Sequence, residues 1–178
     1  MSVGLFDKIS IGNLVLENRI NVAPMCQYSA VSGTMNDWHL VNLGQVAMGG
    51  PGLITIEATA IEPEGRITHG CTGLYSDENE KEMKRVIDFC KSVGHSKMAI
   101  QLAHAGRKAS SQRPWEGGNA LPESDSWLTY SSSPNKFADG WHTPKELDQT
   151  GLKRVLKKFV EATERSVRMG VDAVELHC

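Results

Sequence analysis

Apolar runs alternate with helix-patterned segments along this chain, and that alternation constrains its fold more than any other feature. NRINVAPM reads as a buried strand over about 19–25. NDWHLVNLGQVAMGG follows, with Asn36 and Asp37 as capping candidates, Leu40, Leu43 and Ala47 at helical spacing, and a glycine stop. PGLITIEATAI gives a second strand at about 52–60, rich in β-branched residues. Ser76 then opens a helix in which Met83, Val86, Ile87 and Cys90 fall on one face, and Gly94 ends it. KMAIQLAHAG is a third strand, about 97–105. In TPKE (143–146), Thr143 is a candidate N-cap, Pro144 a first helical residue and Glu146 the far side of a capping box. The helix expected from there turns Leu152, Val155, Leu156 and Phe159 inward and stops at Gly170. DAVELHC is a fourth strand, about 172–178. Before all of this, Leu5 to Leu16 reads as a hairpin with its turn at Gly12–Asn13.

Strands apolar on both faces, separated by helices, imply a parallel sheet covered by helices. Two architectures compete. A doubly wound nucleotide fold calls for G-x-G-x-x-G directly after the first strand. That place holds PMCQYSAVSG, and the glycine cluster GGPG precedes a strand instead of following one. A (β/α)8 TIM barrel keeps its reactive groups at the C-terminal ends of its strands. Here those ends carry Cys26 and Tyr28, Glu57 and Ala58, Gln101 and His104, and His177. The barrel is the better fit. A whole barrel takes roughly 250 residues, so these 178 with four strands are expected to form the N-terminal half of one, cut at mid-barrel. A long segment, 110–142, holds Trp115, Trp127 and Trp141 among Gly, Pro and Ser; it reads as part of the rim of an active site.

Composition narrows the partners. A net charge of −2 offers no dense basic patch for nucleic acid or an anionic membrane. No apolar run approaches the roughly 20 residues needed to span a bilayer, and Asp7, Lys8, Asn13 and Glu17 interrupt the start, so no signal peptide is expected. The four cysteines form no CxxC pair, and free thiols in a reducing cytoplasm are expected. Neither CxxC nor H-x3-H spacing occurs, so no metal site is expected.

Five motifs stand in register: APMCQYS, IEATAIEPEGRITHG, IQLAHAGRKAS, RPWEG and GVDAVELH. Together they resemble the Old Yellow Enzyme family of flavin-dependent ene-reductases, in its bacterial branch with cysteine in the first motif, which includes the xenobiotic reductases. The resemblance runs over essentially the whole chain. It implies a barrel that binds FMN non-covalently and is reduced by NADPH or NADH. The reduced flavin then passes a hydride to the β-carbon of an α,β-unsaturated carbonyl or a similar activated alkene. It also implies site residues. The backbone of Ala23, Pro24, Met25 and Cys26 would line the flavin, with the Cys26 thiol tuning its potential and Pro24 turning the chain across the barrel mouth. Ala58 would be the small residue beside the ring, and Gln101 would pair with its pyrimidine edge. Tyr28 would face the substrate. His177 would donate to the substrate's carbonyl oxygen and stabilise the developing enolate. The resemblance places a second histidine and a proton-donating tyrosine beyond Cys178, and a homodimer or homotetramer at full length. Arg66, His69, His104, Arg107 and Lys108 read as packing or loop anchors at least as readily as catalytic groups. Trp38, His39 and Cys90 read as helix packing. Two other readings remain: a flavin-independent lyase or aldolase using Lys108 or His177, and a non-catalytic half-barrel.

Overall fold

A computed structural model describes residues 3–177. The chain opens with a hairpin of β1 (Ile9–Ile11) and β2 (Leu14–Leu16), paired Ile11 to Leu14 across a turn in which Gly12 takes a φ of +58°. Then come β3 (Asn21–Val22), α1 (Asp37–Met48), β4 (Leu53–Ala60), α2 (Asp77–Val93) and β5 (Lys97–Ala103). The short strands β6 (Tyr130–Ser131) and β7 (Lys145–Glu146) lie in the long connection to α3 (Gln149–Arg168), and β8 (Ala173–Leu176) follows.

The main sheet has the order β3-β4-β5-β8, every pair parallel. Spatial order therefore follows chain order, as in a barrel and not in a doubly wound sheet. All three long helices pack on one side. Ala47 of α1, Met83, Val86, Ile87 and Cys90 of α2, and Ala162 of α3 share one core with Ile54, Ile56, Met98, Ile100 and Leu102. On the opposite side, Leu53, Ala99 and Ala173, at the strands' beginnings, pack on Leu16, Ile9 and Leu14. The hairpin is thus a plug under the N-terminal end of the sheet, which leaves the C-terminal end as the open one.

Local chemistry explains the helix ends. Asn36 caps α1 by accepting the Trp38 N–H at 3.0 Å, and the His39 ring accepts the Asn36 N–H in return. Ser76 caps α2 through the Asn79 N–H, as the sequence predicts. The start of α3 differs from expectation. Thr143 and Pro144 do not begin it; the N–H groups of Lys145 and Leu147 instead bond to the carbonyls of Thr129 and Ser131. Asp148, accepting the Gly151 N–H at 2.7 Å, is the cap. The later start accompanies a different buried stripe: Val155, Phe159, Ala162 and Ser166 face inward, whereas Leu152 and Leu156 are exposed. The helix ends at Arg168, and Gly170 takes a φ of +76°, as expected of its stop.

The first strand is shorter than its apolar run. Only Asn21 and Val22 pair with β4, since Pro24 has no N–H to give a ladder. Its expected end, 23–25, joins no ladder. The fourth expected strand stops at Leu176; the His177 N–H still bonds to the Leu102 carbonyl, and Cys178 lies outside the described residues. Trp38 is not packed in the core. It is exposed, with its indole N–H donated to the Gln27 side chain.

Candidate functional site

The open end of the sheet owes its shape to a bulge in β4. Ile54 pairs with Met98 and Ile56 with Ile100, all on the helix side; then Thr59 pairs with Leu102 and Ala60 with Ala103. The extra residue reverses the strand's parity. Ala58 and Ala60 consequently join Ala103 in lining a cavity of about 300 Å³, while Thr59 turns the other way and bonds to Thr72. His177 closes one wall of that cavity, Cys71 another, and Arg66, His104 and Lys108 stand around it.

Along 23–26, exposure alternates. Ala23 and Met25 face outward, and Pro24 and Cys26 face inward. The side chains of Ala23 and Met25 border a separate depression against Leu43 and Val46 of α1. Tyr28 holds a left-handed backbone at a φ of +51°. Gly70 allows it, because a Cβ there would lie 2.1 Å from the Tyr28 carbonyl oxygen. The Tyr28 ring meets Trp115 edge-on, 6.0 Å between centroids, which joins the long 110–142 segment to the site.

Four groups carrying acidic protons share this neighbourhood. Burial pushes the Cys26 thiol up to about 12, reinforced by Cys71 and Glu57 and opposed by the Ala58 N–H and the Tyr28 hydroxyl. Burial also carries Tyr28 to about 12, with Cys26 and Cys71 adding to it, and raises Cys71. Glu57, only 5% exposed, rises to about 7 through burial, against the backbone N–H groups of Gln27 and Tyr28. At neutral pH the thiol and phenol are therefore protonated donors, and Cys26 has no thiolate with which to attack anything.

Gln101 lies on β5, and its amide donates to Glu175 of β8 at 2.5 Å. His104 is an anchor. Its Nδ1 accepts the Gly106 N–H, so Nε2 carries the proton and donates to Glu62 at 3.0 Å. Arg154 approaches the same oxygen at 3.2 Å. Burial raises the Glu62 carboxyl, but the His104 hydrogen bond and the Arg154 charge outweigh it and hold the group below its usual range.

Of the residues expected at the site, Ala58 and His177 share one cavity, and Cys26 and Tyr28 meet each other and Cys71 beside it. Gln101 sits between the strands that carry Ala58 and His177. Ala23 and Met25 do not line that cavity; they border the separate depression beside α1. From the sequence, Glu57 is one of the polar groups at the strand ends with no role of its own, and Cys71 and Glu175 have none. A carboxylate inside the otherwise uncharged run LITIEATA was a usable signal for the first; the other two depend on contacts across the fold.

Parallel strands in chain order, helices confined to one side, and convergent polar groups at the C-terminal ends define this as a (β/α)8-barrel enzyme fold, present here as half a barrel. The chain belongs to the NADH:flavin oxidoreductase / NADH oxidase family, which it matches over residues 4–178. It is 38% identical to an NADH:flavin oxidoreductase of Gibberella zeae, over 99% of this chain and 44% of that protein. It is 36% identical to an NADPH dehydrogenase of Clostridium acetobutylicum, over 97% and 47% of the respective lengths. Among solved structures, morphinone reductase in complex with tetrahydroNAD superposes with a TM-score of 0.82 at 27% identity, over 99% of this chain and 49% of that one. The chain spans about half the length of the curated relatives it matches.

Proposed function

We propose that this chain is the N-terminal half of a cytoplasmic, homo-oligomeric FMN oxidoreductase that reduces a small activated alkene, such as an α,β-unsaturated carbonyl, with NADH or NADPH. The observation that carries the reading is the placing of a protonated Cys26 thiol beside a cavity floored by three alanines and walled by His177. No side chain at 58, 60 or 103 extends past Cβ, so the floor accepts a planar ring; Gln101 stands nearby with an amide that can both donate and accept. The residues present thus fit a flavin. When bound, FMN supplies hydride transfer, from the nicotinamide to the β-carbon of the alkene.

The chain's own residues do the rest. The backbone of Ala23, Pro24, Met25 and Cys26, with Ala58 and Gln101, would hold the ring. Cys26 keeps its proton and offers a weak hydrogen bond that adjusts the ring's potential. His177 would orient the substrate through an imidazole N–H directed at its carbonyl oxygen, a contact that strengthens as negative charge gathers there. Tyr28, equally protonated, supplies a hydroxyl on the substrate side.

Family membership supports this reading, as does the likeness to a morphinone reductase that holds tetrahydroNAD. Among the described residues no helix is long and apolar enough to cross a membrane. The test is to offer FMN to the complete protein and titrate it anaerobically with NADPH and NADH. A yellow protein that bleaches with either nucleotide and recolours on adding an enone is expected. A colourless protein, or bound flavin that neither nucleotide bleaches, overturns the reading in favour of a flavin-free lyase or a non-catalytic half-barrel.

A further inference from the structure

Glu57 sits at the β4 bulge, buried, and among the described residues it forms no ion pair. A buried carboxyl without a cation is costly, and such groups are retained where their acceptor oxygens are used. Here both hydrogen bonds go to one place. The Glu57 Oε1 accepts the Gln27 N–H at 3.1 Å, and the neighbouring N–H of Tyr28 also points to the carboxyl. Two successive amides held by one carboxylate fix the peptide plane between Gln27 and Tyr28. That plane lies where the backbone passes into the left-handed conformation of Tyr28 and carries Cys26 on its other side.

We propose that Glu57 is a positioning residue, whose carboxylate clamps the 26–28 backbone and so sets where the Cys26 thiol and the Tyr28 hydroxyl point. That those two groups act on a flavin and its substrate rests on the reading above; the clamp itself does not. The titratable groups facing Glu57 are Cys26 and Tyr28 from the 23–28 segment and Cys71 from the connection after β4. From α1 the depression beside it receives Asn42, Leu43 and Val46, and β5 brings Ile100 and Gln101 alongside, none of which titrates. Glu57 is thus the one group of the cluster that changes charge near neutrality, at about 7. The clamp, strongest when ionised, tightens as pH rises through that value.

The test compares the complete protein with its Glu57→Gln and Glu57→Ala variants. Hydrogen exchange at the Gln27 and Tyr28 amides is followed in the mass spectrometer, each rate divided by the intrinsic rate at that pH, and needs no flavin. The ratio of the Glu57→Gln rate to the wild-type rate should be close to one at pH 6, where Glu57 is mostly protonated, and several-fold higher at pH 8, while Glu57→Ala should exchange faster at both. A role confined to packing gives a ratio that does not change with pH, and that result overturns the proposal, as does a ratio of one throughout. Should Glu57→Ala not fold, the near-isosteric Glu57→Gln decides alone. In flavin-loaded protein, Glu57→Gln should also shift the midpoint potential. A protein that takes no flavin defeats the functional reading, while the exchange ratio still decides the clamp.

Discussion

Gln101 and Glu175 face each other across β5 and β8, amide to carboxylate, at 2.5 Å. The carboxylate takes the amide's N–H, which fixes which way the Gln101 oxygen points. Hydrogen bonds to a charged partner contribute about 1.5–3 kcal/mol. Glu175→Ala should free the amide to rotate and weaken FMN binding by about tenfold, read from quenching of flavin fluorescence in the complete protein. An unchanged dissociation constant would mean that the pair holds only the two strands.

His177→Ala should lower turnover with an enone by about 10²–10³, the range for one donor lost from a developing oxyanion. The reduction of flavin by nucleotide should suffer less than its reoxidation by the alkene. Rapid-mixing measurements of the two half-reactions would separate them. If reoxidation keeps its rate, His177 has no part in binding the carbonyl oxygen.

Cys26→Ala should move the flavin's midpoint potential and leave FMN affinity nearly intact. A spectroelectrochemical titration beside a binding titration checks both. With its thiol raised to about 12, wild-type Cys26 should also resist iodoacetamide at neutral pH. Rapid alkylation there would contradict the environment described for it.

Stability should fall with pH in a window set by Glu57. Its carboxyl ordinarily titrates near 4.5 and rises to about 7 when folded. Between those values the folded protein holds a proton that the unfolded chain has lost. Stability is therefore complete below about 4.5 and is lost as pH climbs to 7, by roughly 3 kcal/mol. Glu57→Gln cannot ionise and escapes that loss. Chemical denaturation at pH 5 and pH 8 should show the variant gaining on the wild type at the higher pH. Equal gains at both would mean that the carboxyl titrates normally. The same substitution is expected to loosen the 26–28 backbone, a trade of local order against global stability.

The fold was legible because its signals are local. Leu53 to Ala60 and Lys97 to Ala103 are continuous apolar runs, Ser76 and Gly94 bracket α2, and Gly12 marks the hairpin. The start of α3 departs from its sequence signal because the cap that forms, Asp148, lies five residues beyond Thr143. Thr143 lost to Asp148 once the 129–131 backbone engaged the intervening amides, a contact that no short window contains. The same limit applies at the site. Cys26, Tyr28 and His177 announced themselves through motif, whereas Glu57 acquires its partners only when the 27–28 amides reach it from the segment after β3.

The bulge between Ile56 and Thr59 has a consequence for how this pocket can vary. Because one surplus residue decides which side chains look into the barrel, drawing it into the ladder with the strand unshortened would set Ala58 opposite Leu102, toward the helices, and bring Thr59's hydroxyl onto the cavity floor. The pocket can be retuned by exchanging one side chain for another, but flattening that bulge without shortening the strand would turn its lining inside out. The chain's count at 57–58 is as much a part of the binding surface as the alanines themselves.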